Sequence, residues 1–293
     1  MRRVLLSLLL AACAPGASDE TPDDAGNAHC DSARNIAALP AKLHEASGVA
    51  ASTRHTGILW VHNDSGEPII FAIDTLGNER ARVRISLPNT DWEDIAVAPC
   101  PEGSCIYLGA IGDNLQRRQD RAVLRFPEPD LKATTPIKPV KLRYRLPNGA
   151  HDTEALFVLP DARIFLVTKG RSGPITVFRF PDQPSAEDVN ALEEMQQLTP
   201  GLVQLPDMVT GADAMPDGKV IAIRTYSALQ LYAFDGPRLA PLLAGTGFDL
   251  QPLGEFQGEG VAITQNGSVY LVSEKGLADE DPRLSKVSCS LRD

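Results

Sequence analysis

One short pattern returns five times along the chain and constrains its fold more than any other feature. An acidic or polar residue is followed by a small or acidic residue, an aliphatic one and usually Ala. It reads Glu45-Ala-Ser-Gly-Val-Ala, Asp91-Trp-Glu-Asp-Ile-Ala, Asp152-Thr-Glu-Ala-Leu, Thr210-Gly-Ala-Asp-Ala and Gln257-Gly-Glu-Gly-Val-Ala. The first positions are 46, 61, 58 and 47 residues apart, and self-similarity at such periods marks a repeat architecture. Behind each copy comes a second apolar run rich in β-formers: Ile58-Leu-Trp-Val, Ile106-Tyr-Leu-Gly, Ile164-Phe-Leu-Val, Val220-Ile-Ala-Ile and Val269-Tyr-Leu-Val. Turn chemistry such as Pro216-Asp-Gly-Lys and Asn266-Gly-Ser separates the paired runs, so each pair reads as a β-hairpin.

Further strands follow, among them Ile69–Ile73, Ala81–Ile85, Ala122–Phe126, Lys141–Leu146 and Ile175–Phe180. Four antiparallel strands per unit, repeated radially, describe an all-β five-bladed β-propeller, with six blades as the alternative. The fifth unit offers only three strands before the chain ends. Asn35-Ile-Ala-Ala-Leu supplies the missing one, and a ring closed by this N-terminal strand leaves no open edge.

The start of the chain lies outside the ring. Arg2-Arg3 and the apolar run Val4 to Leu10 form a short export signal ending in Leu10-Ala-Ala-Cys13, which looks like a bacterial lipobox. The expected organisation is a lipoprotein signal peptide over 1–12, a flexible tether over 13–30 and a propeller over 31–293, with Cys13 lipidated. Ala14 lacks the Asp that resembles an inner-membrane retention signal, so the expected place is the outer membrane or cell surface. Four cysteines remain, an even count that in an exported chain implies disulfides. Spacing alone allows three pairings. Ring closure favours Cys30 with Cys289, and Cys100 with Cys105 across the short Pro101-Glu-Gly-Ser turn.

The chain of 293 residues carries a net charge of −10, which excludes the basic footprint that nucleic-acid binding needs. Membrane association is expected through the lipid alone, and the protein is expected to be a monomer.

In a propeller the first strand of every blade lines the central channel, and the turns into it meet those leaving the second strand on one face. The motifs bring Glu45, Asp91, Glu93, Asp94, Asp152, Glu154, Asp213 and Glu259 there. Second-strand exits add His62, Asp64, Asn114, Lys169, Arg224 and Lys275. Carboxylate and amide oxygens without nearby Cys or paired His are hard ligands that suit calcium or magnesium. Glu45, Asp91, Glu93, Asp94, Asp152, Glu154 and Glu259 are therefore the expected metal ligands, with calcium the candidate ion. His62, Asp64, Asn114, Lys169, Arg224 and Lys275 are the expected contacts of a small anionic ligand or partner. A purely structural role, acids bonding turn amides and bases neutralising them, is the competing expectation. His44, His62 and His151 are candidate general bases. Trp60 and Trp92 are expected to pack between blades, and Ser185 with Asp188 is spaced to start a short helix over 186–197.

The segments His62-Asn-Asp-Ser-Gly, Asp91-Trp-Glu-Asp-Ile-Ala, Gly112-Asp-Asn and Glu259-Gly-Val-Ala resemble those of bacterial secreted β-propeller proteins, a resemblance that implies a fold but no activity. The chain is also similar, more distantly, to the five-bladed calcium-activated nucleotidases (apyrases), whose blades open with Glu-containing motifs around a central ion. That likeness implies an acidic role for Glu45, Glu93, Glu154 and Glu259 and a phosphate-binding role for Lys169, Arg224 and Lys275. Blade four departs from it by placing Ala212 where three other blades have Glu. The alternatives to a binding protein are thus a metal-dependent phosphoester or phosphoanhydride hydrolase, and a protein-interaction scaffold whose rim includes Pro181 to Pro206.

Overall fold

The computed structural model describes residues 28–276 and 281–291. Cys13, the signal and most of the tether lie outside them. Five sheets stand around one axis, a five-bladed propeller. Blade one comprises Ala46–Ala51, Ile58–Asn63, Ile69–Asp74 and Glu79–Arg84. Blade two comprises Asp94–Cys100, Gly103–Ala110, Ala122–Pro127 and Val140–Arg145, and blade three Thr153–Val158, Ile164–Thr168, Pro174–Arg179 and Glu193–Leu202. Blade four comprises Val209–Ala214, Val220–Thr225, Ala228–Phe234 and Leu239–Pro241, joined at its rim by Phe248–Asp249. Blade five takes Gly258–Ile263, Ser268–Ser273 and Arg283–Leu291 from the C-terminal end, and Arg34–Ala38 pairs antiparallel with the last of these. Ring closure by the N-terminal strand is thus realised.

The sheet also includes Ala28–Cys30, which the sequence assigns to the tether. That strand is set opposite Ser290 and Leu291, with Cys30 directly opposite Cys289, and both expected disulfides form.

Each blade is buried on both faces, which is why its strands read as near-continuous apolar runs. Alternate residues serve opposite neighbours. In the second strand of blade one, Ile58 and Trp60 pack toward blade two while Leu59 and Val61 pack toward blade five. The result is one apolar cluster between each adjacent pair of blades. Trp60 and Trp92 are both fully buried between blades one and two, as expected.

The small residues of the repeat are explained by the inner ring. A Cβ at Gly260 would come within 2.7 Å of the Val49 backbone nitrogen in blade one, and one at Gly211 within 2.8 Å of the Glu259 carbonyl in blade five. Innermost strands approach so closely there that no side chain fits.

Carboxylates then stitch the ring together. Asp94 is fully buried and accepts the backbone N–H groups of Ile95 at 2.9 Å, Leu156 of blade three at 2.9 Å and Ala212 of blade four at 3.0 Å. Asp213 repeats the device, accepting the N–H of Ala214 and, from blade five, that of Ile263, each at 2.9 Å.

The segment after Ser185 departs from expectation. Its side chain does accept the N–H of Asp188 at 2.9 Å, as a helix cap would, but the chain continues as Asn190–Ala191 and then as the strand Glu193–Leu202. Leu192 is buried between blades two and three, while Met195 and Leu198 pack between blades three and four. The sheet edge of blade three needed a fourth strand, and tertiary pairing overrides the local cap. Among the described residues there is no α-helix, and the only helical turn is a short 3-10 segment, Gln251–Leu253.

Asp94→Asn should be costly, because an amide presents donors to N–H groups that have no other acceptor, at about 1–3 kcal/mol for each orphaned group. Urea denaturation should show that loss, while Asp161→Asn, on a partly exposed turn, should stay within about 0.5 kcal/mol of the parent.

Candidate functional site: an acidic channel mouth

The repeated motif positions side chains through a backbone irregularity. In blades one, three and four the pairing of the innermost strand slips by one residue, leaving Ser47, Glu154 and Thr210 as the extra residues. In blade five the pair Glu259 and Gly260 opposes a single residue, Val272. Such a bulge re-aims a side chain that the ladder would otherwise hold. Ser47, Glu154 and Glu259 are thereby directed into one cavity of about 350 Å³ at the channel mouth. Blade two reaches the same end differently. Asp91 adopts a left-handed φ of 60°, and Glu93, just ahead of the strand, enters the cavity. Gly112 lies so close to the Glu93 and Asp91 carboxylates that any Cβ there would overlap them.

Asp64, Asn114, Lys169, Arg171, Leu205, Met208, Tyr226, Gln257 and Glu274 complete the wall. Five carboxylates, Asp64, Glu93, Glu154, Glu259 and Glu274, therefore face two cations. Both cations are engaged: Lys169 Nζ lies 2.8 Å from Glu154 Oε1, and Arg171 donates to Asp152 at 2.9 Å and to Asn114 Oδ1 at 3.1 Å. The Tyr226 ring centre is 6.0 Å from Lys169 Nζ.

Crowding of like charge in a poorly solvated space shows in the proton affinities. Burial first, then Glu154, pushes Glu93 well above the ordinary carboxyl range, and the same two causes act on Glu259. Burial raises Glu154 to about 7 despite Lys169. Asp64 and Glu274 are each lifted to about 7, again by burial first and then by Glu45. Burial works against the Lys169 ammonium, and Glu154, Tyr226 and Glu259 more than offset it.

The other expected residues lie elsewhere. Asp94 is consumed by its three amides, and Asp152 by the Asp113 N–H at 3.0 Å and Arg171. Asp91 lies 3.4 Å from Arg118, and Glu45 accepts the Ser65 hydroxyl. His62 is fully buried, with burial depressing it to about 4 and Nδ1 3.1 Å from the Asn63 carbonyl, so it packs between blades and does not line the mouth. Arg224 is also fully buried, donating to the Gly260 and Val272 carbonyls at 3.0 Å and pairing with Glu255. Lys275 is exposed outside the cavity wall, its backbone N–H donating to the His44 carbonyl at 2.9 Å. Of the three expected bases only Lys169 faces the mouth. Arg171 lies outside the expected set, and Tyr226 and Glu274, which belong to the polar second-strand exits, line the cavity in place of their neighbours Arg224 and Lys275.

The innermost strands end around a larger cavity of about 510 Å³ at the opposite face, lined by Ala51, Val97, Val158, Met215 and Ile263. Its polar liners are already satisfied, Ser52 and Ser104 by the buried Glu128 and Asp213 by backbone amides. The reactive groups converge at the acidic end, and size alone does not move the site. Among the described residues, the one group of three or more His, Cys, Asp or Glu side chains with ligand atoms within 4.8 Å of one another is Cys100, Glu102 and Cys105, whose sulfurs are joined in a disulfide. It is no metal site.

Fold and mouth together define a β-propeller with a ligand-sized polar cavity at one end of its channel. The chain is similar in fold to the PQQ-bound aldose sugar dehydrogenase from Streptomyces coelicolor, with a TM-score of 0.50 and 13% identity over 88% of this chain and 98% of that one. It is similar also to a structural genomics protein of unknown function from Bacteroides thetaiotaomicron, with a TM-score of 0.50 and 10% identity over 90% and 76% of the two chains. At such identities these likenesses show the propeller fold alone. No protein-family model matches the chain, and a search of the curated proteins finds no match.

The raised carboxyls give a signed pH dependence. They hold protons more tightly folded than unfolded, so folding takes up protons between about pH 4.5 and 7, and the stability they contribute falls as pH rises through that window. In EDTA the melting temperature should be lower at pH 8 than at pH 6, and Glu154→Gln should flatten the difference.

Proposed function

We propose that this is an exported, lipid-anchored binding protein of the bacterial cell envelope, whose propeller mouth takes a hard divalent cation, calcium first, together with a small anionic ligand or partner. The observation that carries this reading is the excess of five carboxylates over two already paired cations in one cavity. Glu93, Glu154 and Glu259 would hold the ion once drawn closer together than they stand without it, with the oxygens of Ser47 and Gln257 beside them. Acceptor-only oxygen donors without thiolate or imidazole fit calcium or magnesium better than zinc or copper. The ion would supply positive charge to which an anion could bind, with Lys169 and Arg171 at hand to contact it.

Binding is favoured over hydrolysis because the basic arm of the nucleotidase-like alternative is incomplete. Arg224 is spent inside the inter-blade seam and Lys275 lies off the cavity wall. Envelope anchoring rests on Leu10-Ala-Ala-Cys13. Cys13→Ser should abolish lipid labelling and membrane retention in the native host, and unchanged membrane association would remove the anchor.

A ligand that binds only the folded state stabilises it by RT ln(1 + [L]/Kd), about 2.7 kcal/mol at one hundred times Kd. Millimolar calcium should therefore raise the melting temperature at pH 8, and less so at pH 6, where protons compete for the same oxygens. Glu93→Gln should remove most of that response. Glu79→Gln, on the outermost strand of blade one and paired with Arg82, should leave it intact. Superimposable melting curves in calcium, magnesium and EDTA would overturn the metal reading.

A further inference from the structure

The mouth has a rim that a hydrated metal ion does not explain. Among the described residues, the large apolar side chains that stand exposed are Leu76, Leu115, Val189, Leu202, Leu205 and Phe256. Leu205, 68% exposed, lines the acidic cavity itself. Leu115, 75% exposed, follows the liner Asn114, and Phe256, 48% exposed, precedes the liner Gln257. Apolar residues scattered singly over a surface need no explanation, but one lining the cavity, with two more next in sequence to its liners, marks a contact surface. All three stand in turns or bends, Leu205 and Phe256 ahead of innermost strands and Leu115 after the second strand of blade two, where polar residues would cost nothing.

The centre of the ring makes an independent demand. Glu93 is more than nine-tenths buried, its carboxyl hydrogen-bonds that of Glu154 and lies beside the Asp91 carboxylate, and no N–H group among the described residues donates to it. Buried acceptors of this kind are stabilised by a donor from outside. Lys169 already shows the fitting mode, an ammonium against Glu154 with the face of Tyr226 beside it. A primary ammonium is a compact charge with three donors on an apolar stem, matching scattered acceptor-only carboxylates better than the planar fork of a guanidinium does.

We infer that the acidic mouth receives a lysine side chain from a partner polypeptide, with apolar residues flanking that lysine seated on Leu115, Leu205 and Phe256. The inference rests on the mouth being a cation site and names a second class of cation for it. The ammonium would meet Glu93 and Glu259, while the partner's flanking side chains would cover the rim and exclude water from the ion pairs, which strengthens them.

Calorimetry on the folded domain at low ionic strength in EDTA tests it, with a capped peptide of sequence Phe-Leu-Lys-Leu-Phe as probe. Binding should weaken at least about tenfold when the lysine is acetylated, when the flanking residues become serine, and when the protein carries Glu93→Gln or Leu205→Ser. Millimolar calcium should compete with it. Equal binding of the acetylated peptide would reduce the mouth to an apolar patch and overturn the inference. So would equal affinity for butylammonium or the serine-flanked peptide, which would make the site one for small amines. Absence of peptide binding with calcium stabilisation retained would defeat this inference alone, and absence of both would defeat the cation reading as well. Melting curves of both variants within a few degrees of the parent exclude misfolding as the cause of any loss.

Discussion

The ring depends on a carboxylate that touches no solvent. Asp94 belongs to blade two, yet it accepts amides from blades two, three and four at 2.9–3.0 Å. Innermost strands in a propeller are not paired with one another, so amides that face the axis need an acceptor from somewhere. One fully buried side chain serves three of them at once, and Asp213 continues the seam to blade five. Three donated N–H bonds favour the ionised acceptor and oppose the burial that pushes its pKa up. Hydroxyls finish the inner seam: Ser47 donates to the Glu93 carbonyl, Thr153 to that of Ile111 and Thr210 to that of Glu259.

The same short motif therefore divides its labour between adjacent positions. Small residues let the strands approach, a hydroxyl or carboxyl ties one blade to the next, and in blades one, three and five the bulged residue faces the cavity. Rigidity at the seam is what allows charge to accumulate at the mouth. Carboxylates held by a soft backbone would swing apart into water, whereas Glu93, Glu154 and Glu259 remain buried and perturbed.

Much of this architecture could be read from the sequence. Five motif copies and their following apolar runs place ten of the inner and second strands, because a strand buried on both faces reads as a short, near-continuous apolar run bounded by turn residues. The closing strand and the Cys30–Cys289 pairing followed from topology. Chemistry was harder to read, since sequence shows where a residue sits but not which way a bulged or buried side chain turns. Asp91, Glu93 and Asp94 are neighbours in one motif, yet one meets Arg118, one enters the cavity and one is locked in the seam. Arg224 stands at a strand exit, where an anion contact is expected, but it turns inward to two carbonyls and Glu255. The segment after Ser185 shows the converse failure, a correct local capping contact with the wrong continuation.

Bulges at the motif have a consequence for how such a molecule changes. The bulged residue lies outside the regular ladder, so its identity is nearly uncoupled from sheet pairing. In four blades this position reads Ser47, Glu154, Thr210 and Glu259, and no two successive blades carry the same residue. Ser47, Glu154 and Glu259 line the cavity, while Thr210 ties blade four to blade five, so the face behaves as a dial with settings on blades one, three and five. Turning one alters the chemistry of the cavity wall, while the apolar clusters and the Asp94 seam go on specifying the same ring.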